Sequence, residues 1–195
     1  MLGELALFHE REPDNVGVER DRLRRRVLPT LPPEVFAAAL QSLLDEGRAV
    51  PVQRSFIALP THKVSFSDEE QQLWSRVEPL IGAKRFHPPR VRPLAKDLGI
   101  DEPEMRRFLG KSAGLGLTYL VAHDHYFLTD AVREMSTLVE ALVDEFGHAK
   151  VAPFRDRIET GRKLAVEILE FFDRVGYTRR IAEHHVIRQP QMWKG

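Results

Sequence analysis

A mostly helical fold carrying small β-wings is predicted for this chain by three observations. One pattern occurs three times: an amphipathic helix ending near a glycine, a short β-rich run, a polar turn and a second β-rich run. Upstream of each copy lie one longer and one shorter helical pattern. The three copies, at about 60 residues each, fill the 195-residue chain as an internal repeat.

In the first copy the helix is VFAAALQSLLDEG, followed by RAVPV and SFIAL; in the second, EMRRFLGKSAGLG, followed by LTYLVA and YFLTD; in the third, GRKLAVEILEFFDRVG, followed by YTRRI and HVIR. The punctuating glycines are Gly47, Gly116 and Gly176, because a helix commonly ends on a residue of positive φ. The paired runs read as hairpins with polar turns. Ser67 and Glu70 make a capping box at the start of the second unit. Pro153 suits the first turn of the short helix in the third. The order helix, short helix, helix, hairpin is that of the winged helix, a helix-turn-helix followed by a β-wing. Tandem units are expected over residues 1–62, 63–129 and 130–195, with boundaries near Pro60–Ser67 and Thr129–Asp130.

Hydrophobic residues make up 43% of the chain and charged residues 30%, a globular balance rather than a disordered one. There is no cysteine, hence no disulfide framework and no thiolate metal site. No apolar run approaches the ~20 residues that span a bilayer, and the N-terminus lacks a basic n-region and a small-residue cleavage site. A cytoplasmic setting without membrane association is expected. Net charge is zero, but it is unevenly spread: 0 over residues 1–67, −4 over 68–147 and +4 over 148–195. A local field of one sign can steer an anionic partner even on a neutral chain.

Several apparent motifs fail. Gly110-Lys111-Ser112 resembles the end of a phosphate-binding loop, but position 105 is Met105, not glycine, and the stretch reads as helix. Gly114-Leu115-Gly116 lacks the third glycine of a dinucleotide fingerprint and reads as a helix stop. His123 and His125, and again His184 and His185, flank wing turns and read as solvated; no metal-ligand spacing exists. No catalytic constellation can be assigned, so the chain reads as non-enzymatic with no cofactor of its own.

The informative stretch is basic: Arg155 and Arg157, then Gly161-Arg162-Lys163, then Arg179-Arg180. On a helical wheel Leu164, Ala165, Ile168, Leu169, Phe171, Phe172 and Val175 share the core face. Lys163, Glu167, Glu170 and Arg174 lie opposite, as two i,i+4 pairs. Carboxylates in mid-helix disfavour docking along a phosphate-flanked DNA groove. Basic residues at the helix start oppose the helix dipole, at a cost of ~0.3–1 kcal/mol each, and suit an anion site completed by first-turn N–H groups. Gly161 leaves room for a backbone to approach closely. A compact, tip-first surface of this kind fits an RNA hairpin, because A-form RNA presents loops and bulged bases rather than an open major groove. A dimeric DNA-binding regulator and a protein-interaction arm stand as alternatives, since fold alone does not fix function. The run Arg20–Arg26 reads as a solvated helix face, with a phosphate or ribosome contact as its alternative.

The stretch FRDRIETGRKLAVEILEFFDRVGYTRR closely resembles the last winged-helix domain of the bacterial selenocysteine-specific elongation factor family, SelB. The resemblance rests on Phe154-Arg155, Gly161-Arg162-Lys163, Leu169-Glu170 with Asp173 and Gly176, and Thr178-Arg179-Arg180. FSDEEQQLW with the following EPL, and Asp21-Arg22-Leu23-Arg24-Arg25 with Leu28-Pro29, resemble the two preceding domains. The resemblance implies an elongated arm of winged helices at the C-terminus of a GTPase related to EF-Tu. The full factor brings selenocysteinyl-tRNA to the ribosome, with GTP and Mg held in parts not contained in this chain. The arm is expected to act as a monomer. Its last domain would bind an mRNA hairpin, the selenocysteine insertion (SECIS) element beside a UGA codon, through Gly161, Arg162, Lys163, Arg179 and Arg180, with Arg155 and Arg157 beside them. The wing continuation Ile181-Ala182-Glu183 departs from the family's glycine-bearing basic pattern.

Overall fold

The computed structural model describes residues 1–27, 29–30, 32–52 and 55–193; Leu28 of the Leu28-Pro29 pair lies outside the described residues. The chain is mostly helical with small antiparallel sheets and divides into two compact units, Met1–Ser67 and Asp68–Gly195.

The first unit runs α1 (Leu2–Arg11), β1 (Val18–Glu19), α2 (Arg20–Val27), α3 (Pro33–Asp45), β2 (Val50–Val52) and β3 (Phe56–Ala58). Its sheet has the order β1-β3-β2, all antiparallel. Pro33 opens α3, where the missing N–H costs nothing. The Glu19 carboxylate accepts the N–H groups of Asp21 (3.1 Å) and Arg22 (2.8 Å) at the start of α2, and these bonds hold its pKa below the ordinary value. Leu5, Phe8, Val18, Leu23, Phe36, Leu40, Ala49 and Ile57 form the core.

The second unit contains two further copies of this order. The first is α4 (Asp68–Gly82), α5 (Val91–Leu98), α6 (Glu102–Gly114), β4 (Thr118–Ala122) and β5 (His125–Leu128); the second is α7 (Thr129–Phe146), α8 (Val151–Arg157), α9 (Arg162–Arg174), β6 (Thr178–Ile181) and β7 (His184–Ile187). Where the first unit has β1, these copies have single antiparallel bridges, Arg90 to His125 and Ala149 to His185. The third-helix ends are alike in all three copies. Gly47, Gly116 and Gly176 have φ of +65°, +76° and +81°. The next N–H in each case reaches back to the helix: Arg48 to the Leu43 carbonyl, Leu117 to Ser112 and Tyr177 to Phe172. This six-to-one bond is the Schellman stop, and it turns the chain directly into the hairpin.

Within the second unit, residues 68–129 and 130–195 keep separate hairpins but share one buried core. Val121 and Phe127 of the first hairpin join Val132, Met135 and Val139 of α7, Phe154 of α8, and Ala165, Ile168 and Phe172 of α9. Each fully buried phenylalanine side chain contributes about 1.5–3 kcal/mol. Tyr119 stands edge-on to Phe171 and to Trp193, so the residues after β7 fold back onto the same cluster. Gly110-Lys111-Ser112 lies within α6: Lys111 pairs with Glu70 at 2.7 Å, and the buried Ser112 hydroxyl lies 2.8 Å from that of Thr118. Neither residue is presented for phosphate binding.

Candidate nucleic-acid interface

The basic stretch spreads over α8, the start of α9 and the wing. Gly161 is the N-cap of α9, with no side-chain cap and no acidic residue in the first turn. Gly161, Arg162 and Lys163 are all exposed, so the first-turn N–H groups and two cations share one open tip. Just before them, Glu159 has φ +50°, and the buried Thr160 hydroxyl has no hydrogen-bond partner.

Ion pairing separates the candidate cations into two groups. Arg155 donates to Asp156 at 2.8 Å through Nε, Arg157 pairs with Glu145, and Arg180 lies 3.9 Å from Glu170. The side chains of Arg162, Lys163 and Arg179 have no hydrogen bond or ion pair among the described residues. Arg179 and Arg180 also part company in direction. Successive strand residues face opposite sides of a sheet. Arg180 turns to α9 and Glu170, and Arg179 faces the outer side, opposite Val186.

Neither i,i+4 pair expected on α9 forms: Lys163 has no ion pair with Glu167 among the described residues. Glu170 pairs with Arg180 of the wing rather than with Arg174, because the Arg174 guanidinium is engaged elsewhere: it donates to the Val121 carbonyl at 3.1 Å and lies over the Phe171 ring. The polar flank of α9 is therefore not an open face. Its C-terminal end is covered by β4, and the half-buried Glu167 is close enough to His125 of β5 to act on its titration. The solvated reading of His185 is also corrected. It is 4% exposed, it bridges to Ala149 through its backbone, and its Nδ1 lies 2.8 Å from Asp173 Oδ2. Asp173 also accepts the Thr178 hydroxyl at 2.6 Å, so this carboxylate serves the base of the wing and not an arginine.

Sequence reasoning passed over Lys150 and Arg188. Both are exposed, and their side chains have no partner among the described residues. Isolated cations outside the basic run carry no local signal in the sequence. Among the described residues no group of three or more His, Asp or Glu is placed to hold a metal ion, and no helix is long and apolar enough to cross a membrane.

Fold and site together define a tandem winged-helix protein whose last domain presents unpaired positive charge at a helix tip and a wing. Three family models match it: "Elongation factor SelB, winged helix" over residues 2–59 and again over 140–187, and "Selenocysteine-specific elongation factor, winged helix domain" over 66–127. The chain belongs to the selenocysteine-specific elongation factor family, SelB. The factor of Escherichia coli (strain K12) is 39% identical over 188 residues, and that of Haemophilus influenzae 33% identical over 193. The matches cover 96% and 99% of this chain but 30% and 31% of those proteins, so the chain spans under a third of its relatives' length. The solved mRNA-binding domain of E. coli SelB, determined in complex with SECIS RNA, is 42% identical with a TM-score of 0.58, covering 63% of this chain and 99% of that one.

Proposed function

We propose that this chain is the mRNA-binding region of a selenocysteine-specific elongation factor and that its last winged helix grips a SECIS-type hairpin to direct selenocysteine incorporation at UGA. The observation that carries the reading is the open tip of α9, where Arg162 and Lys163 stand unpaired around bare first-turn N–H groups. Backbone donors and unpaired cations at a helix start are suited to phosphate. The E. coli domain that aligns over 63% of the chain was solved with SECIS RNA, which supports the same partner here. The flank contacts of α9 argue against a repressor-like mode, because a helix whose C-terminal half packs on β4 cannot lie along a DNA major groove.

In this reading Gly161, Arg162, Lys163 and Arg179 make the primary contacts. Arg155, Arg157 and Arg180 contribute after exchanging their present carboxylate partners for phosphate. The region itself performs no catalysis and acts as a monomer in the cytoplasm. GTP, Mg, selenocysteinyl-tRNA and ribosome binding belong to the whole factor. A gel shift with a selenoprotein mRNA hairpin, with and without its apical loop, tests the proposal. The intact hairpin is expected to shift and the loopless stem to shift far less. Equal affinity for the hairpin and for a scrambled duplex would overturn it.

A further inference from the structure

Helix α2 of the first unit carries five arginines and one aspartate in the eight residues RDRLRRRV, and the α9 interface uses none of them. Leu23 is fully buried and turns one side of the helix into the core. The five guanidinium groups divide by pairing. Arg22 lies 3.6 Å from Glu12 and over the Phe8 ring, and Arg26 pairs with Glu4 at 2.7 Å. The side chains of Arg20, Arg24 and Arg25 have no hydrogen bond or ion pair among the described residues; Arg25 acts on Glu19 only through its charge. Arg20 and Arg24 are four residues apart, so they stand on one side of the helix. With Asp21, and with Pro33, Glu34 and Ala37 of α3, they line an open groove.

In the internal repeat, α2 and α3 hold the places of α8 and α9. The last domain has its unpaired cations at the tip of the long helix, beside bare first-turn N–H groups. The first unit opens its long helix with Pro33 and Glu34 and carries its unpaired cations on the short helix instead. There the N–H groups of Asp21 and Arg22 are taken by the Glu19 carboxylate, and that of Arg20 by the Ser55 carbonyl at 2.8 Å. An anion at α2 is therefore met by guanidinium forks alone. Planar, permanently charged forks suit phosphate oxygens. A protein partner fits less well: the groove is lined by charged side chains, Pro33, Ala37 and a Phe36 only 2% exposed, whereas the centre of a protein interface is depleted in charge. For a member of an elongation-factor family the available polyanion is RNA. We propose that α2 is a second RNA contact, in a different unit from the α9 tip, in which Arg20, Arg24 and Arg25 hold the phosphate backbone of an RNA stem without reading its bases. The proposal does not depend on the hairpin reading of the last domain.

The test compares three forms of the 195-residue chain: wild type, Arg20→Gln/Arg24→Gln/Arg25→Gln, and Arg162→Ala/Lys163→Ala. Each is titrated by anisotropy, across a potassium chloride series, with a labelled loopless RNA duplex and with a selenoprotein mRNA hairpin. The wild type is expected to bind the duplex weakly and only at low salt, as phosphate contacts without base readout do. The α2 variant, with an unchanged melting curve, weakens duplex binding and lowers the slope of log K against log salt by about two to three, one counterion per arginine. It keeps its preference for the hairpin. The α9 variant loses that preference and still binds the duplex. Wild-type duplex affinity and slope in the α2 variant would overturn the proposal. So would a wild-type chain that leaves the duplex unbound at low salt, the result expected if these arginines face an acidic protein. A wild-type chain that binds the hairpin no more tightly than the duplex would remove the α9 reading and leave this one standing.

Discussion

The Arg174 guanidinium donates to the Val121 carbonyl oxygen at 3.1 Å, joining the end of α9 to strand β4 of the preceding winged helix. A charged donor on a backbone acceptor, with the same guanidinium over the Phe171 ring, closes the flank of α9 that a groove-reading helix would need free. Arg174→Met keeps apolar packing and removes the donor. Since Arg174 is exposed, the loss is expected at about 1 kcal/mol, the net worth of an ordinary hydrogen bond and below that of one to a buried charged group. Urea unfolding of the whole chain reads it directly, and an unchanged midpoint would show that the bond adds nothing to stability.

The division between paired and unpaired cations predicts an order of effects on RNA binding. Arg162→Ala, Lys163→Ala and Arg179→Ala should each weaken hairpin binding and each lower the slope of log K against log salt by about 0.7–0.9, one released counterion apiece. Arg155→Ala and Arg157→Ala should lower it less, because those guanidinium groups already face Asp156 and Glu145 and must give up that pairing to reach phosphate. Anisotropy titrations across a potassium chloride series would separate the groups; equal slopes for all five variants would erase the distinction.

Gly161 can be interrogated without disturbing the fold. Its φ is −74°, open to any residue, and a Cβ there would meet nothing within 4 Å. Gly161→Ala should therefore leave the fold intact at a cost of about 1 kcal/mol or less, since alanine is a poorer N-cap than glycine. If the glycine is present for close approach of the RNA backbone, the same substitution weakens hairpin binding severalfold. A variant with both stability and affinity unchanged would assign Gly161 no role at the interface.

Gly176 and Glu159 form an opposed pair. Both occupy the left-handed position just past a helix end, with φ of +81° and +50°. Gly176→Ala should destabilise by about 1 kcal/mol from backbone strain alone, since no atom lies within 4 Å of the new Cβ. Glu159→Gly should relieve strain and stabilise by up to about 1 kcal/mol. Thermal melts of the two variants are expected to move in opposite directions, and a fall for Glu159→Gly would mean that its side chain supplies more than its backbone costs.

What could be read from the sequence follows from how local each signal is. The third-helix stops were legible because one residue, such as Gly176, reports a positive φ whatever surrounds it. The core face of α9 was legible from its periodicity, and Ala165, Ile168, Leu169, Phe171 and Phe172 are all buried. The bridges at Arg90 and Ala149 were not legible, since a single residue has no alternation to display. Nor were the partners of Glu170 and Arg174, because an i,i+4 pair on a wheel competes with tertiary neighbours that only the folded chain supplies. His185 was misread for the same reason: its burial depends on Ala149 and Asp173, both distant in sequence. Within the proposed site, the sequence could gather the cations but not tell which of them were already paired.

His9 gives the first unit a pH dependence whose sign can be worked out. It is 8% exposed, its ring stacks on His62 with centroids 3.6 Å apart, and its Nε2 accepts the Leu59 N–H at 3.2 Å. Accepting that bond requires a neutral ring. Burial foremost, and the charge of His62 second, bring its pKa from 6.5 down to about 4. Between those two values the unfolded chain binds more protons than the folded one, so stability rises with pH across this window. The contribution is complete above about 6.5, declines as pH falls toward about 4, and levels off below. The melting temperature of the chain should drop between pH 7 and pH 5, and less so in His9→Phe, which has no proton to take up. Proton NMR of the His9 ring offers a direct reading: a resonance still unshifted at pH 5.5 supports the argument, and a midpoint near 6.5 would remove its basis.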